Sequence, residues 1–211
     1  AFRCESPGGG SLSGRAIATI GYRGMHSYDL SFDNFFVPAA NLIGGEAGQG
    51  KGFYFTMAGM TGGRLQTTGR ACGVMRAAIK VAISQASDRK VFGQALAGFA
   101  LTQIKMARMA ASWLACRALG EAVAAAPQRA SHSMEASLAK LLACRNAELV
   151  TREALQVHGA MGYAQETPVS RHFVDARVLS IFEGAEETLA LKVIARSLLD
   201  GALNARKAVT A

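Results

Sequence analysis

Hydrophobic and polar positions change their period once along this chain. Up to about residue 45 the pattern is that of strands and turns. Gly8, Gly9 and Gly10 break the chain, Ile17 to Ile20 is short and apolar, and Tyr28 to Phe36 alternates through Leu30, Phe32 and Asp33 until Val37-Pro38 ends it. The run Gly44-Gly45-Glu46-Ala47-Gly48-Gln49-Gly50 reads as a loop. Beyond it the spacing becomes helical. A first helix is predicted from about Phe53 to Ser87, with Met57, Met60, Leu65, Ala71, Val74, Ala78 and Val81 on its apolar side and Gly62-Gly63 as a weak point. After a loop from Arg89 to Gly98, a second is predicted from about Ala100 to Ala125 with Leu101, Ile104, Ala107, Met109, Leu114 and Leu119, closed by Pro127. A third, from about Ser131 to Gly159, carries Leu138, Leu141, Leu142, Leu149 and Leu155, and shorter helices begin near Val169 and Glu186.

Long amphipathic helices joined by loops make a mainly α fold, an up-and-down four-helix bundle, the economical architecture. Ala and Gly at the expected interfaces imply closely spaced helices. Their remaining apolar surface needs more cover than one bundle gives, so a homo-oligomer, a dimer or a tetramer, is expected.

Composition narrows the function. The net charge of +8 on 211 residues is spread along the chain, with no Lys/Arg run interleaved with aromatics, which disfavours nucleic acid and suits anionic ligands such as phosphates and coenzyme A. Cys4, Cys72, Cys116 and Cys144 lie far apart, as reduced thiols of a cytosolic-type protein do, and His26, His132, His158 and His172 lack metal-ligand spacing, so no metal site is expected. No stretch is apolar enough for a membrane span. The chain opens as if in the middle of a strand, Ala1-Phe2-Arg3-Cys4-Glu5, with no initiating Met or signal segment, and a missing N-terminal portion is expected.

One acidic residue stands out. Glu183 follows the apolar run Val178-Leu179-Ser180-Ile181-Phe182, and Gly184 frees the backbone just after it. A carboxylate drawn partly out of water there works as a proton acceptor near neutral pH. A loop Glu at a helix start, favoured by the macrodipole, explains the same residues.

Four stretches, taken in order, decide between these readings. They are Gly21-Tyr22-Arg23-Gly24 with Leu30-Ser31-Phe32-Asp33, Val37-Pro38 and Asn41-Leu42-Ile43-Gly44; Asp88-Arg89-Lys90-Val91-Phe92-Gly93; Gln156-Val157-His158-Gly159-Ala160-Met161-Gly162-Tyr163; and Phe182-Glu183-Gly184. Together they resemble the acyl-CoA dehydrogenase family of flavoproteins. The resemblance implies the end of a β-barrel-like middle domain over residues 1–45 and the C-terminal helical bundle domain over 46–211. It implies FAD as cofactor, an acyl-CoA substrate, and an electron-transfer flavoprotein as electron acceptor. The implied catalytic base is Glu183, followed by Gly184, with Arg64 supporting the site. Arg89, Phe92, Gln156, Gly159 and Ala160 are implied to reach the ADP part of a neighbouring subunit's FAD. A Gly-rich turn lets amides approach phosphate oxygens, an arginine supplies a forked donor, and Phe92 offers a face for a flat ring. The bacterial cytoplasm is favoured over the mitochondrial matrix.

Departures sharpen the picture. Some relatives carry the base on the first helix, at the position where this chain has Gly63, leaving Glu183 as the matched base. Ala185 stands where Thr is common, and the stretch from Glu183 to Arg196 is one residue longer than in common members. Gly21-Tyr22-Arg23-Gly24-Met25 and Gly63-Arg64-Leu65-Gln66-Thr67 resemble the branch containing methylsuccinyl-CoA dehydrogenases. Two other readings stand beside the dehydrogenase: a non-catalytic helical partner subunit, and an acyl-CoA oxidase or desulfinase on the same scaffold.

Overall fold

The computed structural model describes residues 2–127 and 132–209, with side chains to residue 202. The expected helix start at Ser131 lies outside the described residues. The chain divides into two compact units, Ala1–Ala58 and Gly59–Ala211.

In the first unit β1 (Phe2–Glu5), β2 (Ser11–Ile17) and β3 (Ser27–Asp33) form an antiparallel sheet in sequence order. The β1–β2 turn uses left-handed backbone at Gly9 (φ 103°) and Gly10 (φ 79°), and a Cβ on Gly10 would collide with the Asn34 backbone. Register sets Leu12 opposite Phe32 and Gly14 opposite Leu30. Ile17 ends β2, and the apolar stretch after it is no strand: Thr19 Oγ1 donates to the Gly21 carbonyl at 2.7 Å.

Helix α1 (Gly52–Asp88) begins in that unit and supplies the first helix of the second. It runs unbroken through Gly62-Gly63. A two-stranded hairpin, β4 (Lys90–Val91) and β5 (Gln94–Ala95), leads to α2 (Ala100–Ala125). Then come α3 (His132–His158), a 3₁₀ turn (Gly159–Tyr163) and α4 (Pro168–Leu179), which carries proline at its start, where no intrahelical N–H is needed. After a turn, α5 (Glu186–Thr188) passes through a π-helical stretch (Leu189–Ala195) into α6 (Arg196–Val209). A π turn closes each hydrogen bond one residue later than an α turn, so it takes up an extra residue without breaking the helix.

The core is built of small side chains. Helix α1 buries Thr67, Thr68, Ala71, Met75, Ala78, Ala82 and Ala86 at helical spacing, and α3 buries Ala136, Ala139, Ala143, Cys144, Ala147, Val150 and Ala154. Helix α3 packs against α2, α4 and the π-helical stretch, and an ion pair from Lys105 to Glu153 ties it to α2. Closeness of α1 to α2 is set by Gly120, where a Cβ would stand 2.9 Å from the Thr68 methyl. The expected leucine stripe is corrected: Leu101, Ile104, Leu114, Leu138, Leu142 and Leu149 are exposed. Alanines let the helix backbones approach, which turns the larger residues outward.

Candidate active site

Helix α4 ends in a turn that is closed from both sides. The Ile181 and Phe182 amides both bond the Val178 carbonyl, at 2.9 and 3.1 Å, and the Glu186 amide returns to the Ser180 carbonyl at 3.2 Å. Ser180 Oγ donates to the Glu148 carboxylate on α3, which also accepts from Arg177 at 3.3 Å. Arg145 on α3 makes two bonds to Glu186, at 3.0 and 3.1 Å. Between these ties lie two residues in left-handed backbone, Glu183 (φ 56°) and Gly184 (φ 98°). For a glutamate that conformation costs on the order of 1 kcal/mol or more.

The turn presents the half-buried Glu183 carboxylate to α1 at Gly63. A Cβ built at Gly63 would lie 2.9 Å from the carboxylate carbon and 3.4 Å from Oε1. Any side chain there would occupy the same space as the carboxylate. Neither the Glu183 carboxylate nor its amide N–H has a hydrogen-bond partner among the described residues, so an acceptor and a donor of one residue are both unengaged there.

Two buried cations stand behind this turn. Arg64 donates to Ser133 Oγ at 3.1 Å and Ser137 Oγ at 3.3 Å, and its buried Nε has no partner among the described residues. Burial lowers its pKa while the Glu183 charge acts the other way. Lys140 is fully buried, and its Nζ donates to the Gly184 carbonyl at 2.7 Å. Burial lowers its pKa, opposed by Cys144, Glu186 and Glu183, while Arg64 adds to the lowering. The Cys144 thiol is itself pushed up to about 12 by burial, so it is neutral at pH 7 and the opposing anions are the two glutamates. Sequence reasoning missed Lys140. A lysine within the stripe Ala136, Ala139, Ala143, Ala147 was the available signal, because a charge at a core position requires a partner.

A second site lies at the other end of α1 and α3. A cleft of about 440 Å³ is lined by Arg89, Gln156, Gly159 and Ala160 together with Gln85, Thr102, Lys105, His158 and Met161. Gly159 takes the left-handed backbone (φ 60°) that a glycine permits. Arg89 is exposed and its guanidinium has no protein partner among the described residues. Gly162 is occupied otherwise: it is buried, and a Cβ there would meet His158 at 3.0 Å and Leu155 at 3.1 Å, so it serves packing of the turn. Phe92 is not in the cleft. It sits at the tip of the β4–β5 hairpin, 97% exposed, where it and Gly93 take the paired positive φ values (47° and 82°) of a tight hairpin turn. Its ring touches Phe99 edge-on with centroids 6.5 Å apart. No helix among the described residues is long and apolar enough to cross a membrane, and no group of His, Cys, Asp or Glu there suits a metal ion.

(2S)-Methylsuccinyl-CoA dehydrogenase of Cereibacter sphaeroides is 43% identical over 190 residues, 90% of this chain and 34% of that protein. The structure of butyryl-CoA dehydrogenase from Megasphaera elsdenii superposes with a TM-score of 0.82 at 32% identity, over 92% of this chain and 49% of that one. A structure described as the electron transferring flavoprotein of Acidaminococcus fermentans superposes at 0.83 with 29% identity, over 92% and 50%. The chain thus spans a third to a half of the relatives it matches. Residues 50–199 match the acyl-CoA dehydrogenase C-terminal domain, and the chain belongs to the acyl-CoA dehydrogenase family.

Proposed function

We propose that the protein catalyses FAD-dependent α,β-dehydrogenation of an acyl-CoA thioester, with Glu183 as the base. The carrying observation is the Glu183 turn itself: in a chain of this family, a strained backbone holds a carboxylate and an amide on the same residue, both without a hydrogen-bond partner among the described residues. The carboxylate oxygen takes the proton from the α-carbon as that C–H bond breaks. The electron pair left behind forms the α,β double bond as the β-hydrogen departs with its own pair. FAD, when bound, supplies the acceptor for that hydride. Glu183 N–H is suited to donate to the thioester carbonyl, where negative charge develops, an oxyanion-hole type of stabilisation.

The cleft beneath Arg89 fits the ADP part of the cofactor. A guanidinium without a protein partner among the described residues and a left-handed glycine offer donors to a pyrophosphate, and Gln156 and Ala160 line the same cavity. Phe92, exposed at its hairpin tip, suits a ring held by a second copy of the chain. The outward-facing leucines of α2 and α3 favour such an assembly, as a dimer or tetramer. We take an electron-transfer flavoprotein as the electron acceptor, supported by the superposed Acidaminococcus structure. The 43% identity to the Cereibacter enzyme favours a branched acyl-CoA of the methylsuccinyl kind as substrate. Four free cysteines, two of them buried, suit a reducing cytoplasm.

Glu183→Gln keeps the shape and removes only the proton acceptor. Flavin content should stay near that of wild type, and anaerobic flavin reduction by acyl-CoA in stopped flow should slow by about 10² to 10⁴-fold. Unchanged reduction would remove Glu183 from the mechanism. Peroxide formed on admitting air after reduction would assign an oxidase instead.

A further inference from the structure

Lys140 has no part in the chemistry just described, yet it carries a charge at a core position of α3. An ammonium is expensive to bury, and an apolar side chain of similar length would fill the space at lower cost. What the cation provides has to be local. Its Nζ donates to the Gly184 carbonyl at 2.7 Å, and that carbonyl belongs to the second of the two left-handed residues that shape the turn. The other ties, Glu148 to Ser180 and Arg145 to Glu186, hold the ends of the turn, at residues 180 and 186. Lys140 alone among these groups holds its middle. Arg64 is spent on Ser133 and Ser137, and Cys144 is a neutral thiol, so neither replaces it.

We propose that Lys140 is a positioning residue for Glu183. Its charge-assisted hydrogen bond fixes the Gly184 carbonyl, locks Glu183 in its strained backbone, and so holds the carboxylate in place against Gly63 of α1. The role rests on the reading of Glu183 as the base. Holding the turn and performing the chemistry are separable by experiment.

In the FAD-loaded protein, Lys140→Met keeps length and removes the charge. Hydrogen exchange over residues 180–188 should rise by about 10- to 100-fold, the equilibrium equivalent of one charge-assisted hydrogen bond, with α2 unchanged. Flavin reduction by acyl-CoA should slow by about 10²-fold, the cost of misplacing a reacting group by about 1 Å, with KM within roughly threefold of wild type. Lys140→Gln, a shorter neutral donor, should lie between Lys140→Met and wild type on both measures. Wild-type exchange over 180–188 in Lys140→Met overturns the proposal. So does a uniform rise in exchange across all helices, or failure of both variants to fold, since either makes Lys140 a general structural cation. The exchange measurement needs no substrate. A wild type whose flavin no acyl-CoA reduces therefore overturns the dehydrogenase reading and leaves the turn-holding role to be decided by exchange alone.

Discussion

Gly63→Ala separates the stability of this fold from its proposed chemistry. Gly63 lies inside α1, where alanine is the better helix former by about 0.8 to 1 kcal/mol, so by propensity alone the variant should be more stable than wild type. The added methyl arrives against the Glu183 carboxylate, 2.9 Å from its carbon and 3.4 Å from Oε1. Carbon contacts settle near about 3.5 to 4 Å, so roughly 1 Å of retreat is required. The carboxylate is the end of a flexible side chain without a hydrogen-bond partner among the described residues, and it yields in preference to the α1 backbone. Stability is thus largely kept while the proposed base is displaced, and a displacement of about 1 Å costs on the order of 10² in rate. Gly62→Ala is the control, because a Cβ there meets nothing within 4 Å. The assays are urea denaturation and anaerobic stopped-flow reduction of the flavin. Both variants should unfold at or above the wild-type midpoint, and only Gly63→Ala should lose rate. Equal rates for the two variants would refute the placement of Glu183 against Gly63.

Arg89→Ala should weaken FAD retention by roughly 1.5 to 3 kcal/mol, the worth of a charge-assisted contact, and leave acyl-CoA binding near normal; flavin content after dialysis equal to wild type would count against Arg89. The Arg145 hydrogen bond holds Glu186 below the ordinary carboxylate value of 4.5, so its stabilisation is fully present above that pH and lost as pH falls through the lower folded value. Arg145→Ala should accordingly be less stable than wild type at pH 7, with the two unfolding curves converging in acid; a constant gap would show that the pair does not titrate. Burial lowers the His172 pKa from 6.5, so the unfolded chain binds more protons just below that pH and stability should fall on acidification from there; His172→Gln should flatten that part of the profile. Light scattering should find dimers or tetramers, and a monodisperse monomer at micromolar concentration would remove the assembly proposed for the outward leucines and Phe92.

What the sequence made legible follows from how far each interaction reaches. Helices α1, α2 and α3 were readable nearly to their ends because spacing and breakers are local: Asp88 precedes the Arg89 loop, and Pro127 follows the end of α2. Which face of a helix is buried depends on the partner helix, and there hydrophobicity misled. Leu138, Leu142 and Leu149 outrank Ala136, Ala139 and Ala143 in apolar area, yet the alanines are buried because only they allow α3 to approach its neighbours. The π-helical stretch Leu189–Ala195 was not anticipated, because no local sequence signal marks where a helix widens its turn.

Glu183 and Lys140 show the same division at the site. From its own segment Glu183 reads as well as a loop residue at a helix start, and only the ordered set of matched stretches along the chain singled it out. Lys140 lies 44 positions before the carbonyl it holds, and nothing near it in sequence names that partner. The strain at Glu183 is invisible in the sequence too, since a left-handed glutamate is disfavoured by its own local preferences and persists only where tertiary ties over-determine it. Ser180, Glu186 and Gly184 are each bound by a different residue of α3: Glu148, Arg145 and Lys140. One rigid helix thereby fixes the start, the middle and the end of the turn at once. A carboxylate held in this way cannot relax into an ordinary loop conformation without breaking contacts along two full turns of α3, which is why Glu183 can keep a left-handed backbone with its carboxylate against Gly63.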